Sequence, residues 1–180
     1  MTAANVESKV QCSDLEAVAK RAAAAGAVYA GVLRQTDTYF VAVGTGRLKL
    51  REVSHEAPDG TLVESAELIG YERPDRTGAR VSTYSREPVD DPATRAAELA
   101  AELGLRGVVT KRRDLWLLDR TRIHLDRVSG LGDFVELETV AEAAVGPEDW
   151  AEHDAVAAAL DLDLSASTPS SYIDLVEDVR

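Results

Sequence analysis

Hydrophobic and polar residues alternate along several stretches of the chain, and residues 46–51 show the pattern most regularly. Arg47, Lys49 and Arg51 share one face of this predicted strand, while Leu48 and Leu50 share the other. The leucines predict a buried face. Two unit charges ~4 Å apart near a protein surface repel by roughly 4 kcal/mol. The cationic face must therefore be solvated or lie against an anion, and this strand taken alone favours solvation.

The same reading along the whole chain predicts seven or eight strands joined mostly by short turns, with helices at the edges. The predicted strands cover residues 5–12, 31–43, 46–51, 66–73, 80–89, 107–118, 121–128 and 133–140. Helices are predicted over 13–25, with Ser13 as N-cap and Glu16 in a capping box, over 92–104, and over 148–160. Residues 54–64 are predicted to be a polar loop. An antiparallel sheet of this size is expected to curl or to close into a barrel.

Charged residues segregate by strand, which changes the interpretation of the first cationic face. Lys111 and Arg113 share a strand face, as do Glu136 and Glu138 on a later strand. A solvated sheet would be expected to mix signs, because opposite charges stabilise each other across strands. Two carboxylates on one face suit a hard divalent cation, and the cationic rows suit a phosphate chain. A third strand mixes its charges and places Arg122, His124 and Asp126 on one face.

Composition restricts the class of protein without identifying it. The 180 residues are 45% hydrophobic and carry a net charge of −12, which argues against a nucleic-acid-binding surface. Residues 106–127 contain seven Lys and Arg, whereas residues 128–179 contain thirteen Asp and Glu and neither Lys nor Arg. The single cysteine, Cys12, is expected to be a buried small apolar residue, and it fits a reducing compartment. With no signal peptide and no apolar run of membrane-spanning length, the sequence predicts a soluble cytoplasmic protein.

Seven short segments in order resemble the CYTH domain, also called the triphosphate tunnel metalloenzyme superfamily, which includes class IV adenylate cyclases and thiamine triphosphatases. The segments are residues 6–9 (Val-Glu-Ser-Lys), 35–40 (Gln-Thr-Asp-Thr-Tyr-Phe), 46–52, 71–75, 109–113, 122–126 and 132–138. A weaker match lies at residues 171–175. The chain looks closest to the bacterial class IV cyclase-like branch.

The resemblance implies an α+β fold, with a closed eight-stranded antiparallel barrel forming a tunnel and helices packed on its outside. It implies one domain over residues 1–180, with a core of about 5–140 and a C-terminal helical segment, 147–180, packing on it. The residues implied to bind substrate phosphates are Lys9, Arg47, Lys49, Arg51, Arg73, Lys111 and Arg113. Glu7, Glu136 and Glu138 are the implied ligands of Mg²⁺ or Mn²⁺, and Glu7, Lys9, Asp126 and Lys111 are the candidate catalytic residues.

One position departs from the family pattern, because Asn5 stands where the Glu-x-Glu-x-Lys signature has its first glutamate. One carboxylate fewer leaves open whether one or two metal ions bind. Asp126 could be a ligand or an acid/base neighbour, or could pair with Arg122 or Lys111. His124 is expected to be a hydrogen-bonding residue of the tunnel wall. Arg112 and Arg120 are expected to be solvated, and Tyr71 and Tyr84 to pack.

These residues predict a metal-dependent enzyme that acts on a triphosphate. The leading reaction is that of an adenylate cyclase, which converts ATP to cyclic AMP and pyrophosphate. The alternatives are hydrolysis of thiamine triphosphate, a nucleoside triphosphate or inorganic tripolyphosphate, and chemistry on another organic diphosphate or triphosphate. A non-catalytic module that binds nucleotide or polyphosphate is the alternative of another class. A homodimer is implied by resemblance alone.

Overall fold

The computed structural model describes residues 3–41, 46–72, 80–142 and 144–178, which form eight strands, four helices and one short 3₁₀ turn. The strands are β1 (Ala3–Gln11), β2 (Val28–Phe40), β3 (Arg47–Glu56), β4 (Leu62–Glu72), β5 (Arg80–Pro88), β6 (Leu105–Leu118), β7 (Thr121–Val128) and β8 (Gly132–Val140). The helices are α1 (Leu15–Ala24), α2 (Pro92–Leu103), α3 (Pro147–Ala159) and α4 (Tyr172–Asp178), and the 3₁₀ turn covers Leu164–Ala166.

Every strand pairs antiparallel with two neighbours, in the order β1-β5-β4-β3-β2-β6-β7-β8, and β1 also pairs with β8. The ring of pairings is therefore complete and forms a closed barrel. The predicted α+β class and the eight-stranded antiparallel sheet are confirmed. A ring removes the open sheet edges that would otherwise invite pairing with other chains.

The alternation of side chains decides what lies inside the barrel and what lies under the helices. Leu50 is completely buried on the outer face of β3, where it packs with Phe40 and with Leu99 of α2. Helices α1 and α3 cover the outer faces of β1, β7 and β8. The hydrophobic core is thus the layer between barrel and helices, and the charged faces of the strands turn inward.

Helix α4 belongs to a second apolar cluster. Its Tyr172 and Ile173 pack against Tyr39, Val109, Val128 and Phe134. The aromatic rings of Phe134 and Tyr172 meet edge to face at 5.2 Å between centroids. This cluster fills the barrel interior beside the start of β8.

Three local predictions are corrected by the structure. Helix α1 is capped by Asp14, whose side chain accepts from the backbone N–H of Ala17, and not by Ser13. The predicted loop over 54–64 is shorter, since β3 extends to Glu56 and β4 begins at Leu62. The strands extend further because the backbone of β3 pairs with β2 and β4 as far as Glu56. These backbone hydrogen bonds form in spite of the polar side chains, so the sequence pattern did not predict them. Cys12 is only partly buried, at the edge of the core under α1.

No helix within the described part of the chain is both long enough and apolar enough to cross a membrane.

Candidate functional site

A cavity inside the barrel gathers charged side chains from β1, β2, β3, β5, β6 and β8 with two residues of the C-terminal segment. Its lining residues are Asn5, Glu7, Lys9, Asp37, Tyr39, Lys49, Arg51, Ile69, Arg86, Lys111, Arg113, Glu136, Glu138, Ser171 and Tyr172. Cations lie mainly on β3 and β6. Apart from Asp37 of β2, the carboxylates lie on β1 and β8, which pair with each other. The site therefore has a basic wall and an acidic wall.

On β3, Lys49 and Arg51 are both bound to Asp37 of the neighbouring strand β2. Arg51 donates through Nε and Nη2 to the two carboxylate oxygens of Asp37, at 2.6 and 2.7 Å. Lys49 Nζ donates to Oδ2 of the same carboxylate at 2.9 Å. Burial alone would raise the pKa of Asp37, but the charges of Arg51 and Lys49 hold it well below its usual range.

On β6, Lys111 and Arg113 are arranged in the same way around Asp126 of β7. Arg113 donates through Nε and Nη2 to both oxygens of Asp126 at 2.6 Å each, and Lys111 Nζ lies 3.6 Å from Oδ2. Arg113 also reaches Glu136 at 3.2 Å. Burial opposes ionisation of Asp126, but Arg113 and Lys111 outweigh it and keep its pKa far below the ordinary value.

Burial also lowers the pKa values of the two lysines on β3 and β6. Desolvation, with the neighbouring charge of Arg51, lowers the pKa of Lys49 to about 7, although Asp37 opposes the shift. Desolvation and the charge of Arg113 lower the pKa of Lys111. The ammonium of Lys49 therefore depends on its anionic partner to stay protonated at neutral pH.

Tyr172 of α4 joins this cluster through its ring and its hydroxyl. The ring covers the ammonium groups of Lys9 and Lys111, which lie 4.0 and 4.8 Å from its centroid. Its hydroxyl donates to Asp126 at 2.8 Å, and the carbonyl of Ser170 accepts from Lys9 at 3.2 Å. Burial and the charge of Asp126 raise the pKa of Tyr172 well above its usual value, so the phenol stays protonated.

The acidic wall contains the three predicted metal ligands. Glu7 lies opposite Glu138 in the register of β1 and β8, and Glu136 is the next residue on that face. Arg113 and other cations hold the pKa of Glu136 well below its ordinary value, although burial opposes the shift. Against the same effect of burial, the pKa of Glu138 is lowered as well. Both carboxylates are therefore ionised at neutral pH.

The chemistry of this donor set fits a hard divalent cation, because it offers several ionised carboxylate oxygens in one cavity. As the side chains stand, Glu138 accepts from the amide of Asn5 and faces Arg122, while Glu136 faces Arg113. Within the described ranges, no group of three or more His, Cys, Asp or Glu side chains is gathered closely enough to hold a metal ion. A metal would therefore have to draw these carboxylates together.

The structure brings most of the predicted site residues into one cavity. The cavity wall includes Glu7, Lys9, Lys49, Arg51, Lys111, Arg113, Glu136 and Glu138. Arg47 instead reaches Asp174 of α4 at 2.8 Å. Asp126 lies behind the wall, fully buried. Arg73 lies outside the described residues.

The partners of Asp126 agree in part with the expectation. Asp126 pairs chiefly with Arg113, and it also lies 3.6 Å from Lys111, as expected. Arg122 pairs instead with Glu138 at 3.4 Å. The Nδ1 atom of His124 is buried without a hydrogen-bond partner in the described part of the chain, and its Nε2 atom lies 3.9 Å from Oε2 of Glu138. Its role as a hydrogen-bonding residue of the tunnel wall stays a prediction. Desolvation and Arg113 lower the pKa of His124 to about 3, so it is neutral at physiological pH.

The two arginines expected to be solvated are both paired. Arg120 is anchored to Glu152 and Asp149 of α3. Arg112 remains half exposed but lies 3.0 Å from Asp114. The side chains of Tyr71 and Tyr84 lie outside the described residues.

Asp37 and Tyr172 were the main residues that sequence reasoning missed. Asp37 lies inside one of the matched segments, where it shares a strand face with Gln35 and Tyr39. A lone carboxylate on a strand next to a wholly cationic one was a usable signal. For Tyr172 the signal was only the weaker match at residues 171–175. Its partner could not be predicted, because more than thirty residues separate it from the barrel strands and the contact depends on where α4 packs.

The fold and this interior define a class of protein, the antiparallel β-barrel with a charged internal cavity. The chain belongs to the CYTH domain family, whose model matches residues 3–167. Helix α4, with Tyr172 and Asp174, lies beyond the matched residues.

Three solved structures share the fold over nearly their whole length. The PH1012 protein from Pyrococcus horikoshii OT3 is 25% identical, with a TM-score of 0.77, and the match covers 95% of this chain and 98% of that one. A candidate adenylate cyclase from Vibrio parahaemolyticus is 16% identical, with a TM-score of 0.72 and coverage of 96% and 97%. A candidate adenylyl cyclase from Hippeastrum, described as having a dominant triphosphatase activity, is 14% identical, with a TM-score of 0.60 and coverage of 98% and 96%. No protein of curated function matches the sequence.

Proposed function

We propose that this CYTH protein is a metal-dependent enzyme that binds a triphosphate inside its barrel. The observation that carries the proposal is the lining of the cavity, where Lys9, Lys49, Arg51, Lys111 and Arg113 face a single space. With Arg86, six cations line the cavity against four carboxylates. This excess of cations suits the negative charge of a triphosphate chain, and arginine forks match the geometry of phosphate oxygens. The protein as a whole carries a net charge of −12, so this local excess of cations is specific to the cavity.

The carboxylates Glu7, Glu136 and Glu138 are the proposed ligands of one Mg²⁺ or Mn²⁺ ion. Such an ion would neutralise phosphate charge and polarise the phosphorus centre. Asn5 replaces a fourth carboxylate, and its amide binds Glu138. This supports a site for one ion, since a second would share the same three carboxylates.

The leading reaction is the cyclase reaction on ATP. The ribose 3′-hydroxyl gives up its proton to solvent and attacks the α-phosphorus, the bond from that phosphorus to the bridging oxygen breaks, and pyrophosphate leaves. Arg51, Arg113 and the lysines beside them would stabilise the charge that develops on the leaving pyrophosphate. Lys9 lies on the opposite side of the cavity, where it can contact a second phosphate group.

Hydrolysis of a triphosphate is a second candidate, and the character of the cavity wall favours it. Among the described lining residues only Tyr39, Ile69 and Tyr172 are hydrophobic. Both tyrosines lie against lysine ammonium groups, so the described wall offers little apolar surface for a nucleobase. Water would then attack the terminal phosphorus, the bond from that phosphorus to the bridging oxygen would break, and phosphate and the diphosphate part would be released. The substrate would be inorganic tripolyphosphate or a short organic triphosphate. The non-catalytic binding module is the rival of another class, and the ionised Glu136 and Glu138 argue against it.

A product screen tests the proposal. The purified protein is incubated with ATP, thiamine triphosphate or inorganic tripolyphosphate and with Mg²⁺ or Mn²⁺, and cyclic AMP, pyrophosphate and phosphate are measured separately. We expect the Glu136→Ala/Glu138→Ala variant to lose turnover by a factor of about 10² or more, because stabilising groups of this kind are worth that much.

The matched control is Glu52→Ala/Glu64→Ala, which removes two exposed carboxylates from strands of the same barrel. It is expected to retain turnover, and thermal unfolding of all variants shows whether they are folded. If the wild-type protein releases neither phosphate nor pyrophosphate from any of these substrates, the enzyme assignment fails. Binding of tripolyphosphate without turnover would then favour the binding module.

We further propose that the chain acts as one domain in the cytoplasm on a small-molecule triphosphate, not on nucleic acid, and that it forms a homodimer.

A further inference from the structure

Two strands on either side of β2 carry the same Lys-x-Arg sequence with both side chains in the cavity. These are residues 49–51 of β3 and 111–113 of β6. In both cases the arginine lies opposite an aspartate in the strand register: Asp37 on β2 for the first and Asp126 on β7 for the second. The same three-residue unit is therefore built twice, from four different strands.

The contacts within the two units also agree. Each arginine uses its Nε–Nη2 edge as a fork onto both oxygens of its aspartate, at 2.6–2.7 Å. The lysine two residues earlier approaches Oδ2 of that aspartate, at 2.9 Å for Lys49 and at 3.6 Å for Lys111. Such a fork fixes the plane of a guanidinium group as well as its position.

The fork also decides which edge of each arginine remains for a ligand. Neither Arg51 nor Arg113 forms a hydrogen bond through Nη1 to any residue in the described part of the chain. Both side chains line the cavity. The edge opposite the aspartate is thus the one that a phosphate oxygen can approach.

We propose that Asp37 and Asp126 are positioning residues that hold the two Lys-x-Arg pairs as matched clamps on the oxygens of the triphosphate. This inference rests on the proposed function, and it gives Asp126 a role different from that of a metal ligand or a general acid or base. The two clamps flank β2, so they grip the chain of phosphates from two neighbouring sectors of the barrel wall.

The surroundings of Asp126 support a positioning role. Its carboxylate is completely buried and does not line the cavity. It accepts two bonds from Arg113 and one from the hydroxyl of Tyr172, and Lys111 lies beside it. A general base must come within hydrogen-bond reach of the proton that it removes, whereas the carboxylate of Asp126 lies behind the cavity wall and accepts three hydrogen bonds from the protein.

Neutralising Asp37 removes a negative charge from the cavity, and that change by itself favours phosphate binding. The pKa of Lys49 opposes this effect. The groups that act on its ammonium include Asp37 and Tyr39 of β2, Arg51 of its own strand and Lys111 of β6. Its pKa is already about 7 with Asp37 in place. Neutralising Asp37 removes a charge that raises the pKa of Lys49, so Lys49 loses its proton more readily near neutral pH and the lost negative charge is offset.

Isothermal titration with inorganic tripolyphosphate in the absence of metal tests the inference apart from turnover. We expect the variants Asp37→Asn and Asp126→Asn each to bind tripolyphosphate about 10–100-fold more weakly. This is the range found at metal sites when a residue that orients a metal ligand is lost. The control is Asp114→Asn. It removes an aspartate that binds two arginines, Arg112 and Arg127, on the outer surface of the barrel, and it should change the Kd by less than twofold.

Two further readouts separate positioning from a structural role. In a Lys49→Ala/Arg51→Ala background, Asp37→Asn should cause no further loss of affinity, because the aspartate acts through those two side chains. In the otherwise wild-type chain, the pH above which tripolyphosphate binding weakens should shift downward in Asp37→Asn, since Lys49 deprotonates earlier. Thermal unfolding establishes that each variant is folded.

The outcomes distinguish this inference from the proposed function. If the wild-type protein does not bind tripolyphosphate with or without Mg²⁺, the proposed function is wrong, and the inference about the two aspartates is wrong with it. If the wild-type protein binds but Asp37→Asn binds as well or more tightly, the inference alone is wrong. It is also overturned if Asp126→Asn binds normally and abolishes turnover, which is the behaviour of a general base.

Discussion

Asp37 and Asp126 show how much of this site depends on single buried carboxylates. Each is at most 1% exposed and carries an arginine fork on its two oxygens. A buried charge without a partner is costly, whereas one that is paired and fully hydrogen-bonded can be accommodated. The cost of placing so many cations in the barrel is therefore offset locally, residue by residue, before any substrate arrives.

Gly31 is a position that the backbone conformation and the neighbouring strand restrict to glycine. Its φ of +114° is disfavoured for any residue with a side chain, and a bulge between β2 and β6 begins beside it. A Cβ added there would lie 2.2 Å from the carbonyl oxygen of Glu56. Only glycine allows β2 to approach the end of β3 this closely.

We expect Gly31→Ala to lower the free energy of unfolding by about 2–4 kcal/mol, because strain and a backbone clash act together. The measurement is urea denaturation followed by circular dichroism. Gly60→Ala is the control, since Gly60 also has a positive φ, +85°, but open space around its Cβ position. It should cost about 1 kcal/mol. Equal losses in the two variants would show that the approach of Glu56 is not limiting.

At the scale of elements, the helices hold the barrel through polar contacts as well as apolar ones. The buried face of α3 includes Asp149 and His153 together with Val156 and Ala157. His153 bridges two strands, with Nδ1 3.0 Å from Oγ1 of Thr139 on β8 and Nε2 2.9 Å from Oγ of Ser8 on β1. The helix is thereby tied to the seam where the first and last strands of the barrel meet.

This attachment predicts a dependence of stability on pH. Burial lowers the pKa of His153 to about 4 in the folded protein, against about 6.5 for an unperturbed histidine. Between pH 6.5 and pH 4, His153 is therefore protonated in the unfolded chain but stays neutral in the folded protein. Stability from this group is complete above pH 6.5 and falls as the pH drops through that window.

We expect His153→Gln to lose less stability than the wild type when the pH is lowered from 7 to 4.5, by about 1–2 kcal/mol. Glutamine can still hydrogen-bond but does not titrate. Urea denaturation of both proteins at the two pH values gives the difference, and other titrating groups cancel in the comparison. A constant difference between the two proteins at both pH values would contradict the prediction.

At the scale of the whole molecule, the sign of the charge reverses between surface and cavity. The chain carries a net charge of −12, and the thirteen acidic residues of 128–179 have no Lys or Arg among them. The basic residues of the site are gathered inside the barrel. An anionic ligand is therefore repelled at long range and attracted only once it enters the cavity.

This arrangement predicts an unusual effect of salt on binding kinetics. We expect the association rate constant for tripolyphosphate to rise as the ionic strength increases from about 0.01 M to 0.1 M, since the Debye length falls from about 30 Å to about 10 Å and the distant surface repulsion is screened. Stopped-flow mixing with a competing fluorescent triphosphate analogue measures it. A rate constant that falls steeply over this range would mean that the field of the cavity dominates at the surface.

The chain by itself determined which residues share a strand face. Side chains alternate with a period of two whatever the partner strand is, so Lys49 and Arg51 had to point the same way, opposite Leu50. The segregation of charge between strands then indicated a basic wall and an acidic wall, and the cavity contains both. The same local rule predicted seven of the eight barrel strands to within a few residues. It ended the predicted β3 too early, because the second half of this strand is polar.

Only the tertiary structure decided which of these residues meet. Asp37 lies 14 residues from Arg51, and Asp126 lies 13 residues from Arg113, and each pair forms because two antiparallel strands adopt one register out of several. Tyr172 reaches Asp126 across 46 residues because α4 packs into the barrel interior. Register and docking are set by the summed packing of many distant residues, so a pattern read along the chain shows the faces of the strands but not the partners of the side chains.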